Sequence, residues 1–172
     1  IDLSDSEVDR ARATIEVHGM RVLSIASPLL KCTLPDAPPV APHIQRDVFG
    51  SAYTFAEQGT LARRALEIAG RTGARIIRVF SYWRTVDPDQ CFDRIVTALR
   101  SLADEAGRRD LVIGLENEHA CNIATAEEAA RILATVGHPA LQLIWDPANA
   151  LVAGETPFPD GYARLPVSRI VH

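Results

Sequence analysis

An α/β fold built on a parallel sheet is what this sequence predicts, and three observations predict it. Short, continuously apolar runs (RVLSIAS, ARIIRVFS, LVIGLE, LQLIWD and VSRIVH) alternate with segments whose apolar residues recur at helical spacing. Strands of that kind need cover on both faces, the condition met by parallel pairing through crossover helices. No GxGxxG or GxxxxGK(S/T) turn occurs, so the phosphate cradle of a doubly wound nucleotide-binding sheet is missing. Each run also ends in a polar residue: Ser27, Ser81, Glu116, Asp146 and His172. Polar side chains at the carboxyl ends of the strands are how a TIM (β/α)8 barrel builds its site, and the barrel is therefore the architecture expected.

The elements follow in order. Ser4 and Glu7 make a capping box, Val8, Ala11 and Ile15 share one helical face, and Gly19 ends that helix. Residues 21–27 are the first strand, and the long proline-bearing loop SPLLKCTLPDAPPVAP that follows is expected to cover some other part of the fold. From Thr60, a helix carries Leu61, Ala65, Ile68 and Ala69 on one face, and Gly70 and Gly73 close it before ARIIRVFS. Asp87 before Pro88 starts the next, with Phe92, Ile95, Val96, Leu99, Leu102 and Ala103 as its apolar stripe before LVIGL. Thr125 with Glu128 is a second capping box, Ala129, Ile132, Leu133 and Val136 form the buried face, and LQLIW follows. A loop with Pro157 and Pro159 leads to a last strand, VSRIV. Five strands are counted where a barrel of about 250 residues has eight. Residues 1–172 are thus expected to be one barrel domain, incomplete at both ends, whose open sheet edges favour a homo-oligomer.

Composition narrows the function classes. With 47% hydrophobic residues the chain is too apolar to be disordered. Its 18 basic and 22 acidic residues are spread along the sequence for a net charge of −4, which argues against nucleic-acid or membrane-surface partners. No run reaches the roughly 18 apolar residues of a membrane span, and IDLSDSEVDR lacks the regions of a signal peptide, so a cytoplasmic location is expected. Cys32, Cys91 and Cys121, odd in number and far apart, are expected to be free structural thiols.

Alternation groups Val112, Gly114 and Glu116 on one face, then Gln142, Ile144 and Asp146, then Ser168, Ile170 and His172. If those faces point into the barrel, Glu116, Asp146 and His172 converge at its mouth. Two carboxylates and an imidazole suit a divalent cation of the Mn, Mg, Co or Zn kind, and the donor set does not choose among them. A lone strand-end carboxylate is more often a solvated residue, or for Asp146 a helix cap; three such residues on successive strands are harder to dismiss, and spacing alone leaves both readings open. Lys31, in the loop after the first strand, could reach a substrate oxygen, and Arg78 could pair with a carboxylate inside the barrel. Trp145 is expected to pack under the outer helices, and His18, His43 and His138 to be surface or capping residues.

GLENEH, IWDPANA and the terminal RIVH resemble the sugar phosphate isomerase/epimerase group of xylose isomerase-like barrels, and SIASPLLK resembles that group's serine-proline-lysine loop. The resemblance runs over nearly the whole chain and rests on order and spacing, with 30 residues from Glu116 to Asp146 and 26 more to His172. It implies that Glu116, Asp146 and His172 are three ligands of one divalent metal whose fourth, a Glu, lies on a later strand. It also implies a small sugar, sugar phosphate or polyol ketone as substrate, isomerised or epimerised by enediolate proton transfer with Glu116 doubling as base. Two departures bear on the substrate: many relatives have His where this chain has Glu118, with His119 one residue later, and His where it has Asn149. Glu118, His119, Asn149 and Lys31 are accordingly the expected substrate contacts. The alternatives are a dehydratase, a non-catalytic barrel fragment or binding module, and an endonuclease on the same fold. The net charge of −4 and the single strand-end His172 count against the last.

Overall fold

A computed structural model describes residues 1–44 and 52–172. Among these, four strands form one parallel sheet in the order β1 (Ser24–Leu29), β2 (Ile76–Val79), β3 (Val112–Glu116) and β4 (Leu141–Ile144). Each strand is laid beside the one before it through a helix: α2 (Gln58–Thr72), α3 (Phe92–Gly107) and α4 (Ala126–Val136), with α1 (Asp5–Val17) ahead of β1. Steady addition on one side, without the reversal of a doubly wound sheet, is barrel winding, and the chain is a partial barrel of the α/β class.

Capping fixes where the helices begin. Ser4 with Glu7 and Thr125 with Glu128 form the expected boxes. A third, Thr54 with Glu57, starts a 3-10 turn (Phe55–Glu57) that runs into α2, so this helical segment begins several residues before Thr60. The apolar stripes then face the sheet. Ile77, Val79, Ile113, Leu115, Leu141 and Leu143 point outward from the strands into one cluster with Leu61, Leu66, Ile95, Leu99, Ile132 and Leu133 of the helices. Burying each of the larger side chains contributes about 1.5–3 kcal/mol, so this layer is the main source of stability. Trp145 packs against the same cluster, as alternation predicts.

The opposite row faces the barrel interior. Register pairs Arg78 with Gly114 and Gly114 with Gln142, then Glu116 with Ile144, so Arg78, Glu116 and Ile144 share one side. Gly114 is where two isoleucines close over the sheet: a Cβ there would lie 2.8 Å from Ile144 Cδ1 and 3.0 Å from Ile76 Cγ2.

Two strands depart from expectation. β1 starts at Ser24 rather than Arg21 and continues past Ser27, whose hydroxyl does not end the strand but bridges it to β2. Ser27 Oγ donates to the Arg78 carbonyl and accepts from Leu29 N–H, which carries the pairing across an irregular register. Ser81 likewise lies beyond β2, fully buried, where its Oγ accepts Ile123 N–H at 2.8 Å. VSRIV is not a fifth strand. After Pro166, Val167–Arg169 turns as 3-10 helix, and Ile170 alone makes a parallel bridge, to Leu143. The Arg169 guanidinium, bonded to the carbonyls of His138 and Leu141, holds that turn under the edge of β4.

Cys32, Cys91 and Cys121 are free and buried, and burial pushes the Cys32 thiol up to about 11. Among the described residues, no helix is long and apolar enough to cross a membrane.

Candidate active site

The inner row and the loops above it enclose a cleft of about 500 Å³ at the carboxyl ends of β1 to β3, lined by Pro28, Lys31, Tyr53, Arg78, Phe80, Glu116 and Glu118 among others. Strand alternation turns Glu116 into it, and the side chain keeps only 13% of its surface exposed. Arg78 Nη1 stands 3.2 Å from Glu116 Oε2, the carboxylate pairing that Arg78's position anticipated.

Lys31 is 5% exposed, unlike an ordinary loop lysine. Leu30 before it adopts a left-handed backbone with φ of 61°, a conformation costing about 1 kcal/mol for a branched residue. Gln58 holds it there by accepting Leu30 N–H at 2.8 Å. The turn directs Lys31 Nζ to within 3.3 Å of Glu118 Oε2 and 4.7 Å of the Phe80 ring centre. Glu118 Oε1 and Asn149 Oδ1 each lie 2.8 Å from His119 Nδ1. Both oxygens are acceptors, so His119 Nδ1 is the donor between them. The four expected substrate contacts, Lys31, Glu118, His119 and Asn149, thus form one connected chain.

Asp146 continues the inner row two residues beyond Ile144. Its Oδ1 accepts Ala148 N–H and Asn149 N–H at 2.8 and 3.0 Å, capping α5 (Pro147–Val152). Asn117 ties Asp146 beside Glu116: its Oδ1 accepts Asp146 N–H at 2.7 Å and its Nδ2 donates to the Asp146 carbonyl at 2.8 Å. His172 is exposed at the β4 edge. Val171 N–H donates to Leu143 O, whereas Trp145 N–H donates to His172 O instead of Val171 O, a slip of one residue. Ile170, paired with Leu143, lies on that residue's outer side and packs against the outer cluster rather than on the inner face that alternation along VSRIVH assigns it, and the slip leaves His172 at the β4 edge. The structure therefore sets Glu116 and Asp146 at the ends of neighbouring strands on one side of the sheet, and among the described residues no hydrogen bond or ion pair joins the His172 side chain to either. Among the described residues, no three His, Cys, Asp or Glu side chains are drawn into a ready cluster. As a donor set, two carboxylates and an imidazole suit a divalent cation, and charges of both signs stand around Glu116.

Those charges show in the Glu116 carboxyl. Burial raises it above the usual carboxylate range; Arg78 and Lys31 pull it down, while Glu118 and Asp146 push it further up. A carboxyl raised on folding binds its proton more tightly in the folded chain. The associated stability is complete below the unfolded value and is lost as pH rises through the folded one, so at neutral pH the ionised group costs stability. Glu116→Gln, which mimics the neutral form, is expected to raise the melting temperature at pH 7. The gain should vanish as pH falls below the ordinary carboxylate value, and calorimetric melts across that range check it.

Sequence reasoning missed Phe80, Tyr53, Asn117 and Asn122. Asn122 Oδ1 accepts Thr85 N–H at 3.0 Å, and its Nδ2 donates to the Ser81 and Trp83 carbonyls at 3.0 and 3.1 Å, holding the segment that carries Trp83 against the one that carries Glu118. For Phe80 and Asn117 the only signal was their place just after a strand end; Tyr53, ahead of α2, and Asn122, in the loop before α4, carried none.

Compared with known proteins, residues 1–172 match the family described as xylose isomerase-like TIM barrel. Among solved structures the chain is similar to the probable 3-DHS dehydratase AsbF of Bacillus anthracis, involved in petrobactin synthesis. The identity is 15%, over 98% of this chain and 55% of that one, with a TM-score of 0.71. It is similar to the IOLI protein with a bound zinc atom, at 18% identity over 96% of this chain and 55% of that one, TM-score 0.71. It is similar too to D-psicose 3-epimerase in the presence of D-fructose, at 18% identity over 95% of this chain and 55% of that one, TM-score 0.67. The chain spans about half the length of these structures. A search of curated proteins found no match.

Proposed function

This chain belongs to the xylose isomerase-like TIM barrel family, and from that premise we propose that its cleft serves a divalent-metal-dependent isomerase or epimerase of a sugar or related polyol ketone. The observation that carries the reading is Glu116, a mostly buried carboxylate at the end of β3 facing the cleft beside two further carboxylates. One relative of known structure is a D-psicose 3-epimerase and another holds zinc, which supports both the substrate class and the cation.

Glu116, Asp146 and His172 would hold the cation. When bound, a cation of the Mn, Mg, Co or Zn kind supplies a Lewis acid for a carbonyl oxygen. The chain's own residues do the remaining work. The Glu116 carboxylate, turned into the cleft at the end of β3, removes the proton from the carbon next to the carbonyl and holds it on a carboxylate oxygen. Return to the neighbouring carbon isomerises; delivery to the opposite face, by a second base, epimerises. Lys31, Glu118, His119 and Asn149 fix the substrate's hydroxyls, and Phe80 and Trp83 beside Lys31 limit water there. As partner, a small sugar fits a cleft of about 500 Å³.

The test is exchange of substrate C–H for deuterium from solvent, followed by NMR over a panel of ketoses with Mn2+, Mg2+, Co2+ or Zn2+ present. Exchange that needs the cation and falls at least about 10³-fold in Glu116→Gln is expected. Exchange that survives the substitution unchanged, or a chain that binds cation yet exchanges no ketose, rejects the proposal. Loss of water from the substrate would instead identify a dehydratase.

A further inference from the structure

The Glu116 carboxylate already has a positive partner. Arg78, from the middle of β2, stands beside it as an ion pair, Nη1 3.2 Å from Oε2, without the aligned two-bond fork that makes arginine–carboxylate pairs strong. Among the described residues its Nε is buried without a hydrogen-bond partner, a donor left unmet at a cost. The guanidinium carbon lies 4.8 Å from the centre of the Phe80 ring, so the group has an aromatic face to rest on. The pair is thus a weakly satisfied one, and the arginine has somewhere to stay inside the cleft when the pair is broken.

We propose that Arg78 is the resident counter-ion of Glu116 and is displaced when a divalent cation takes that carboxylate, the two competing for Oε2. The inference rests on the reading that Glu116 is a cation ligand. A divalent ion and a guanidinium drawn to one carboxylate oxygen repel one another, so each weakens the other's hold on it. Arg78 therefore sets the affinity of the site by the cost of moving it aside, and it is a positioning residue rather than a catalytic one.

Calorimetric titration with Mn2+ of the 172-residue chain and of Arg78→Met, Arg78→Lys and Glu116→Gln tests this, with thermal melts of each. Arg78→Met is expected to bind about tenfold more tightly or better, the scale of removing one charged competitor. Arg78→Lys, which keeps the charge but loses the planar group on Phe80, should fall between, and Glu116→Gln should not bind. If Glu116→Gln abolishes binding while Arg78→Met binds no tighter than the unaltered chain, the competition is overturned and the cation site stands. If none of the proteins binds Mn2+, both readings fall together. Should Arg78→Met fail to fold, the unaltered chain decides: the Arg78 Nε–H resonance is expected to shift on adding Zn2+ to a 15N-labelled sample, and one that stays in place overturns the proposal.

Discussion

Replacing Asn122 by leucine is expected to destabilise the chain by about 3 kcal/mol or more, lowering the melting temperature by roughly 10 °C. Asn122 is 1% exposed, and its amide satisfies Thr85 N–H and the carbonyls of Ser81 and Trp83. Leucine fills the volume but leaves one donor and two acceptors buried without partners, each worth about 1–3 kcal/mol. Scanning calorimetry reads the change. A loss under about 1 kcal/mol would mean that water reaches these groups and that the segment from Ser81 to Thr85 is held by other contacts.

The second large effect separates two roles of one residue. Asp146 caps α5 and, in the proposed function, binds the cation. Asn is as good a cap as Asp, so Asp146→Asn is expected to keep the melting temperature within about 3 °C, whereas Asp146→Ala loses the cap at about 1 kcal/mol. For cation affinity the two variants should fail alike, by about 100-fold or more, because both lack the charged oxygen. Calorimetry with Mn2+ on both variants, paired with melts, checks this. If Asp146→Asn binds Mn2+ as the unaltered chain does, Asp146 is a cap and nothing more.

The contrast at Asp146 marks what a sequence can disclose. Local rules carried well: two of the capping boxes, the apolar stripes of α2 to α4, and β3 and β4 to within a residue or so, because each depends on spacing along a few neighbours. The inward turn of Glu116 followed from the same alternation. What was hidden depends on distant partners. Lys31 reads as a solvated loop residue until Glu118, 87 positions away, and Phe80 enclose it. VSRIV has strand composition, but Arg169 finds its acceptors at His138 and Leu141 and keeps Val167–Arg169 in a turn. β1 runs on through a proline because a serine hydroxyl can stand in for a backbone bond, which no propensity scale records.

That substitution at β1 governs how the sheet can grow. β1 is a free border of the sheet among the described residues, the kind of border that recruits foreign strands. Leu29 is spoken for by β2, since its carbonyl accepts Phe80 N–H and its N–H goes to Ser27 Oγ. Pro28 has no N–H to give, and its carbonyl is taken by Lys31 N–H. A strand arriving at this border can extend its ladder along Ser24 to Ser27 and must stop there. The border accepts a short, registered neighbour, as a barrel requires, and refuses the long sliding pairing from which fibrils start.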